Sequence, residues 1–469
     1  MASLHEPRYQ VEPTSARGEV GCDGSGETAK SRKEVAAAFS LSAGGALAAV
    51  LALLLLLSGC RGRKRNVVLI IVDTVRADHL GCYGYPRDTS PHIDSLAAVG
   101  TLWSNVYAQS SWTLPATTTI LTGLSERSHR VGMKVSAGEV YGMNEQMPTL
   151  ATILGSRNYR TAAFFNVYLM SRQFNFDRGF QSFECHDNGH GRAGVTVDQA
   201  LGWLEEARSD QPFFLAVHLF DPHDPYAPPA PFDTLYAPEG IAGDSVWEFT
   251  PEGGLARPSQ KEHLMNLYDG EIAWTDGQLG RLFAGLREMG LAESTIVALT
   301  ADHGEEFLEH GYVGHGRTLY GETVNVPLVL SGPGVPAGRV DSSAASQLDV
   351  LPTVLGLLDA GLPDHAEGFD LLAGEVTRSR PIPASGVNTG PPFELASLVM
   401  DGRKVLWYPE ADTCVAYDLM SDPLEQNPVE ADPELQQAVL RYWATPPVFQ
   451  PVRLESMEVG PALRDLGYI

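Results

Sequence analysis

The chain has 469 residues, of which 43% are hydrophobic and 19% are charged, as in globular proteins with one large domain and a smaller one. The formal net charge is −25, and the body contains no long basic run, which excludes nucleic acid as a partner. The five cysteines form no CxxC pair, so the sequence supports neither a cysteine metal cluster nor a disulfide framework.

The N-terminal 59 residues have the pattern of a leader segment. Residues 1–33 are polar and end in basic residues, and an apolar run follows over residues 35–57. The run ends in Leu57-Ser58-Gly59-Cys60, which resembles a bacterial lipobox. That resemblance implies a lipid on Cys60 and export of the body. The alternative is a single membrane anchor, because about 20 apolar residues can span a bilayer.

Either anchor predicts a protein of the bacterial cell envelope, held at the membrane by its N-terminus with its catalytic domain outside the cytoplasm. In this interpretation residues 1–59 are removed as a leader or serve as the anchor. Residues 60–66 are the tether to the body.

Four apolar runs in the body predict buried strands, at residues 66–72, 161–165, 213–219 and 295–300. Helical patterns alternate with these strands. The fold class is therefore α/β, with a mostly parallel central sheet flanked by helices over residues 67–390. Residues 227–262 have little periodicity and predict a lid loop. Short strand patterns and a terminal helix predict a small C-terminal α+β subdomain at 391–469.

Polar residues stand at the carboxyl ends of three predicted strands, where ligand sites of open α/β sheets collect. They are Asp73, the cluster of His218, Asp221 and His223, and the pair Asp302-His303. Any one of these residues alone is explained by a cap or a core contact. Together, carboxylates and imidazoles suit a divalent ion such as manganese, zinc, magnesium or calcium.

The stretch from Ser111 to Gly123 predicts a short helix. Pro115 suits its first turn, and Gly123 suits its end, where φ is positive. We expect Thr113 just before this helix, near its unpaired amides and positive dipole end. The alternative role for Thr113 is an ordinary N-cap.

Several ordered motifs between residues 66 and 430 resemble the sulfatase family of the alkaline phosphatase superfamily. The resemblance rests on stretches at 72–85, 113–123, 218–226, 300–305, 314–320 and 417–427. It implies an alkaline phosphatase-like fold and a divalent metal, with Asp73, Thr113, Asp302 and His303 as ligands. It further implies Thr113 as nucleophile, His223 and His315 on the ester oxygens or leaving group, and Arg317 in support. His218 and Asp221 are candidates for a second metal or for substrate.

The chain also departs from the sulfatase pattern. Thr113 stands where the family has the Cys or Ser that becomes formylglycine, and the extra methyl group of threonine blocks that conversion. Ala116 and Thr117 replace the usual Ser and Arg, and Thr74 replaces an aspartate. His315 stands near a common Lys. This set resembles the threonine-nucleophile branch of phosphodiesterases, phosphonate hydrolases and phosphoglycerol transferases.

We therefore expect a metal-dependent hydrolase of sulfate or phosphate esters, with phosphodiester or phosphonate chemistry favoured over sulfate. The metal is Mn, Zn or Ca. The expected substrate is an anionic ester, either a small molecule or one linked to a glycan or lipid. Two alternatives are a phosphoglycerol- or phosphoethanolamine-type transferase and a surface binding protein with a decayed site.

Overall fold

The computed structural model describes residues 65–134, 139–186, 192–207, 211–237, 260–374, 379–387 and 394–454. The predicted leader and the Cys60 lipobox lie outside these residues, as does most of the predicted lid. Within the described part, no helix combines the length and apolar character that a bilayer span requires. Cys82, Cys185 and Cys414 form no disulfide among the described residues.

An eight-stranded sheet forms the centre of the body, in the order β12-β2-β11-β8-β1-β7-β5-β6. In chain order these strands are β1 (Asn66–Val72), β2 (Thr101–Tyr107), β5 (Arg160–Phe165), β6 (Ser182–Cys185), β7 (Phe213–Leu219), β8 (Thr295–Ala301), β11 (Leu328–Ser331) and β12 (Arg339–Ser346). Only β11 runs antiparallel to its neighbours within this sheet. The predicted mostly parallel α/β architecture is confirmed.

The strands at the middle of the sheet are buried on both faces, which explains their continuous apolar sequence. Strand β1 pairs in parallel with β7 on one side and with β8 on the other. Val72 is in register with both Leu219 and Ala301. The residues that follow these three positions therefore emerge at one edge of the sheet.

Helices cover both faces of a parallel sheet, as the alternating pattern requires. They are α1 (Pro91–Ala98), α2 (Thr113–Thr122), α3 (Glu126–His129), α4 (Leu150–Ser156), α5 (Ala193–Glu206), α6 (Gln260–Glu288), α7 (Gly321–Val324) and α8 (Val350–Leu357). Short strands outside the sheet are β3 (Gly132–Lys134), β4 (Glu139–Gly142), β9 (Glu306–Phe307), β10 (Val313–Gly314) and β17 (Val452–Leu454).

A separate antiparallel sheet lies near the C-terminus, in the order β13-β14-β15-β16. Its strands are β13 (Ile382–Val387), β14 (Glu394–Met400), β15 (Arg403–Tyr408) and β16 (Thr413–Asp418), and helix α9 (Pro433–Trp443) packs on it. The predicted subdomain start at residue 391 falls between β13 and β14. The sequence analysis did not predict strand β13, because proline and glycine interrupt its apolar pattern.

Candidate active site

Four buried side chains meet at the carboxyl ends of β1 and β8. The Nε2 atom of His303 lies 3.3 Å from Thr113 Oγ1, 3.6 Å from Asp73 Oδ1 and 3.4 Å from Asp302 Oδ2. One potential ligand atom from each of Asp73, Asp302 and His303 lies within 4.8 Å of the other two. All four side chains are fully buried. The structure thus brings together the residues that the sequence analysis assigned to a metal.

Three of the four carboxylate oxygens of this cluster lack hydrogen-bond donors among the described residues. No hydrogen bond reaches either Asp73 oxygen or Asp302 Oδ2. Asp302 Oδ1 accepts from the amides of Thr74 and His303, at 3.2 and 2.8 Å. Buried carboxylate oxygens without donors are costly unless they bind a proton or a cation. The cluster therefore fits a divalent ion with oxygen and nitrogen ligands.

The ionisation of the cluster reflects its burial. Burial raises the pKa of Asp73 above its ordinary value. Burial also raises the pKa of Asp302, and the negative charge of Asp73 raises it further. Burial lowers the pKa of His303 well below its usual range, and the nearby His315 adds to that shift. Without a cation, the aspartates tend to hold protons and the imidazole stays neutral.

Thr113 is the first residue of helix α2, whereas we expected it one position earlier. Trp112 is the extended N-cap, and Pro115 lies in the first turn. Gly123 ends the helix with φ +67°, as predicted. The Thr113 hydroxyl therefore points from a rigid, buried helix start toward His303.

Backbone strain is stored beside the cluster at Thr74. This β-branched residue adopts φ +56°, a left-handed conformation that such residues rarely take. Tyr268 holds it there, because its hydroxyl donates to the Thr74 carbonyl at 2.8 Å. The strained turn directs the Thr74 amide at Asp302. Strain of this kind concentrates at functional sites.

The structure separates the two residues that were candidates for a second metal. His218 lies beside the cluster, with its Nε2 3.4 Å from Asp73 Oδ2. Burial lowers its pKa to about 4, so the ring is neutral. Asp221 instead accepts from the Ala193 amide at 2.9 Å and from Trp274 Nε1 at 2.8 Å. Both its oxygens thus anchor helices α5 and α6.

A second polar group borders the cluster. The ring centroids of His315 and His303 lie 4.4 Å apart, and those of His223 and His315 lie 4.7 Å apart. His223 Nδ1 lies 2.6 Å from the Asp224 carbonyl oxygen, an acceptor, so Nδ1 carries the proton. His223 Nε2 has no hydrogen-bond partner among the described residues. This nitrogen is available to a ligand.

Arg317 does not join this assembly. Its side chain is exposed, although it follows His315 by only two positions. The contacts that join the described residues of the cluster link His303 to Thr113, Asp73 and Asp302, and His315 to Glu305, without the Arg317 guanidinium. The structure thus leaves Arg317 on the surface.

Arg76 and Glu305 lie within the motif stretches 72–85 and 300–305, but the sequence analysis assigned neither a role. Glu305 is fully buried, and its Oε1 lies 3.1 Å from His315 Nδ1. Burial and the charge of Asp224 raise the pKa of Glu305 well above its usual range. Arg76 donates to the Glu305 carbonyl at 3.1 Å and to Glu309 at 2.7 Å. The sequence signal that could have identified Glu305 was its position two residues after the predicted metal ligand His303.

The assembly combines three chemical capacities. Asp73, Asp302 and His303 can hold a divalent ion, and Thr113 presents a hydroxyl 3.3 Å from one of those ligands. His223 and His315 present imidazoles beside them. A hydroxyl, a cation site and a proton carrier are the elements of nucleophilic ester cleavage.

Comparison with known proteins assigns the chain to a family. The sulfatase family model matches residues 65–360, more than half of the chain. An arylsulfatase of Clostridium perfringens is 24% identical over 77% of this chain and 89% of its own length. Human arylsulfatase A is 27% identical over 66% of this chain and 67% of its own length.

Solved structures share the fold. One, a complex of a protein with its substrate D-glucosamine-2-N,6-O-disulfate, has a TM-score of 0.68 at 17% identity, covering 86% of this chain and 98% of that one. Phosphonate monoester hydrolase of Agrobacterium radiobacter has a TM-score of 0.64 at 20% identity, covering 86% and 96%. Together with the family match, these similarities show that the chain belongs to the sulfatase family of ester hydrolases.

Proposed function

We propose that this protein is a metal-dependent hydrolase in which Thr113 Oγ1 attacks the phosphorus of a phosphate diester or phosphonate ester. The observation that carries the proposal is the 3.3 Å distance between Thr113 Oγ1 and His303 Nε2 inside the buried carboxylate cluster. Similarity to both arylsulfatases and a phosphonate monoester hydrolase supports ester hydrolysis in general.

Asp73, Asp302 and His303 would hold the Mn, Zn or Ca ion, with Thr113 as a further ligand. Such an ion lowers the pKa of a neighbouring hydroxyl and stabilises negative charge on the ester oxygens. Helix α2 fixes the direction from which the Thr113 oxygen approaches, because the residue is fully buried at its first turn.

In the first step the Thr113 oxygen forms a bond to phosphorus, and the bond to the leaving oxygen breaks. We assign the proton transfer of this step to His223 Nε2, which is unpartnered in the described structure while Nδ1–H donates to the Asp224 carbonyl. Nε2 would accept the proton that the Thr113 hydroxyl loses, directly or through water, and then give it to the leaving oxygen. His315 would bind an ester oxygen. Water then cleaves the ester on Thr113 and restores the hydroxyl.

Arg317 and His218 have smaller proposed roles. Arg317 is exposed, so it would contact a part of the substrate that lies outside the buried cluster. His218 would support Asp73, from which its Nε2 is 3.4 Å away. We assign Asp221 no role in catalysis because helices α5 and α6 use both of its oxygens.

The residue at position 113 favours phosphorus over sulfur. A sulfated threonine lacks the hemiacetal route by which formylglycine releases sulfate, so it should persist. A phosphorylated threonine beside a cation can be hydrolysed, because the cation stabilises both attacking and leaving oxygens. We therefore expect a higher kcat/KM for phosphate diesters or phosphonates than for sulfates with the same leaving group.

A panel of p-nitrophenyl esters tests this preference. Purified protein would be supplied with manganese, zinc or calcium and assayed on phosphate monoesters, diesters, phosphonates and sulfates. Repeated turnover of the sulfate, faster than of the matched phosphoesters and with Thr113 shown unmodified by mass spectrometry, would overturn the proposal. Products formed with an added alcohol acceptor would instead identify a transferase. A protein that binds no metal and turns over no ester would be a decayed binding protein.

We also propose that the protein is anchored in the bacterial cell envelope through a lipid on Cys60. The support is the Leu57-Ser58-Gly59-Cys60 sequence after an apolar run. Labelling cells with a radioactive fatty acid should mark the wild-type protein and not Cys60→Ala. Equal labelling of both proteins would contradict lipidation, and membrane retention of unlabelled protein would favour the single-span anchor.

A further inference from the structure

A buried ion pair in the C-terminal sheet contacts the segment that carries His315. Lys404 on β15 is fully buried, and its Nζ lies 2.8 and 2.9 Å from the two carboxylate oxygens of Glu425. Glu425 is only 3% exposed. Desolvation of two charges is costly, so a buried pair is weak evidence for added stability. The other contacts of Glu425 indicate the role of the Lys404–Glu425 pair.

Glu425 holds residues 304–322, named here the His315 loop, at two points. Its Oε1 accepts from the Gly321 amide at 2.9 Å, and its backbone carbonyl lies 3.0 Å from His310 Nε2. These two contacts stand on either side of His315 in the chain. One residue of the C-terminal region thus fixes both flanks of a catalytic-site histidine.

His310 strengthens this attachment because both its ring nitrogens face acceptors. Nδ1 lies 2.6 Å from Glu322 Oε1, opposite the contact to Glu425. Burial alone lowers the pKa of His310, but the hydrogen bonds to Glu322 and Glu425 outweigh burial and raise it to about 9. The ring is therefore an imidazolium at neutral pH. It also stacks on Tyr320, with centroids 3.6 Å apart.

Inside the His315 loop, Glu306 organises the turn. Its Oε1 accepts from the amides of His310 and Tyr312, at 3.0 and 2.9 Å, and its Oε2 from the Thr318 hydroxyl at 3.1 Å. Glu306, His310 and Glu322 also lie close enough to hold a metal. Their ligand atoms are already hydrogen-bonded, so we interpret this group as a structural network.

The far side of the His315 loop contacts the segment just before Thr113. The Gly316 amide donates to the Ser111 carbonyl at 2.8 Å, just before helix α2. His315 itself lies beside His303, with ring centroids 4.4 Å apart. A displacement of the loop would therefore move His315 relative to Thr113 and the metal ligands.

We propose that the Lys404–Glu425 pair is a positioning device through which the C-terminal sheet holds His315 in the active site. The pair touches no reacting atom and acts through the His315 loop. The proposed effect on turnover rests on the proposed function, because it requires His315 to act on the ester. The proposed effect on the order of the His315 loop does not rest on that function.

Three variants separate positioning from general stability. Lys404→Met with Glu425→Met removes the pair and the acceptor for the Gly321 amide. Lys404→Met with Glu425→Gln also removes both charges but keeps a side-chain oxygen for that amide. Arg403→Met is the control, because Arg403 is the adjacent residue on β15 and forms a 3.0 Å ion pair with Asp432 that is largely exposed.

Hydrogen exchange of peptides from residues 305–321 and steady-state kinetics would be measured on the full chain, well below each melting temperature. The Met–Met variant should exchange faster in this segment and lose about 10- to 100-fold in kcat with little change in KM. The Met–Gln variant should recover most of both properties, and Arg403→Met should change neither.

Unchanged exchange in residues 305–321 of a folded Met–Met variant would overturn the proposal. Faster exchange over the whole chain, with the melting temperature lowered in proportion, would show that the pair only stabilises the fold. If the wild-type protein cleaves no ester, the proposed function fails. In that case local exchange still decides whether the pair orders the loop.

Discussion

At the scale of single residues, the proposed chemistry depends on Thr113. We predict that Thr113→Ala abolishes turnover while the protein still folds. Thr113 is not the N-cap of α2, so its replacement removes no capping hydrogen bond and should change the free energy of unfolding little, whereas loss of a nucleophile lowers the rate by orders of magnitude. Turnover and thermal unfolding of the purified variant would be measured together.

Two further substitutions serve as controls for Thr113→Ala. Thr113→Ser keeps a hydroxyl at the start of α2 and should retain part of the activity, and Thr113→Cys should retain less. Turnover of folded Thr113→Ala at nearly the wild-type rate would exclude this residue as the nucleophile.

The buried aspartates predict a pH dependence of the metal-free protein. Burial raises the pKa of Asp73 and Asp302 above the ordinary value of 3.8. The folded state therefore keeps protons that the unfolded chain releases as pH rises above that value. The contribution of these groups to the free energy of unfolding falls with rising pH. A divalent ion that displaces the protons should reverse this loss.

Urea unfolding of metal-free protein between about pH 5 and 8, with and without manganese, tests this linkage. Asp302→Asn is the matched variant because it cannot ionise at that position. Its stability should depend less on pH than that of the wild-type protein. Identical pH dependence in the two proteins would contradict the assignment of the raised pKa.

The same residues predict where the metal binds. Asp302→Asn and His303→Ala should each release the ion, because each removes one of few ligands in a buried site. Metal content after dialysis would be measured by elemental analysis. Retention of a full complement of metal by both variants would place the ion elsewhere.

At the scale of elements, Asp221 accepts hydrogen bonds from helices α5 and α6, and we expect this to be its role. We predict that Asp221→Ala lowers the melting temperature and leaves metal content unchanged. The substitution would leave the Ala193 amide and Trp274 Nε1 without an acceptor, at about 1–3 kcal/mol for each buried donor. Loss of metal from a folded Asp221→Ala protein would contradict this prediction and indicate that Asp221 is a metal ligand.

Apolar runs predicted the four strands β1, β5, β7 and β8, because strands at the middle of the sheet are buried on both faces. The runs at 66–72, 213–219 and 295–300 coincide with β1, β7 and β8 to within a residue. The sequence did not predict that β11 runs antiparallel to its neighbours, because an apolar run looks the same in either strand direction. The hydrogen bonds of Asp221 could not be predicted from the sequence either, because its partners belong to helices distant in the chain.

At the scale of the whole molecule, strand-end residues were predicted to converge because parallel strands end at one edge of the sheet. That rule places Asp73 beside Asp302, in register through Val72 and Ala301. The rule does not apply to loops, so it predicts neither the exposed position of Arg317 nor the burial of Glu305. The link from Lys404 to the His315 loop is likewise a tertiary contact without a local sequence signal.

Trapping the reaction on Thr113 tests the proposed chemistry most directly. Metal-loaded protein would be quenched in acid during turnover of a phosphate diester, and the peptide containing residues 111–123 analysed by mass spectrometry. We predict a phosphoester on Thr113 that appears during turnover, disappears when substrate is exhausted, and is missing from Thr113→Ala. Sustained turnover with the ester on another residue, or with Thr113→Ala as active as the wild-type protein, would contradict the proposal.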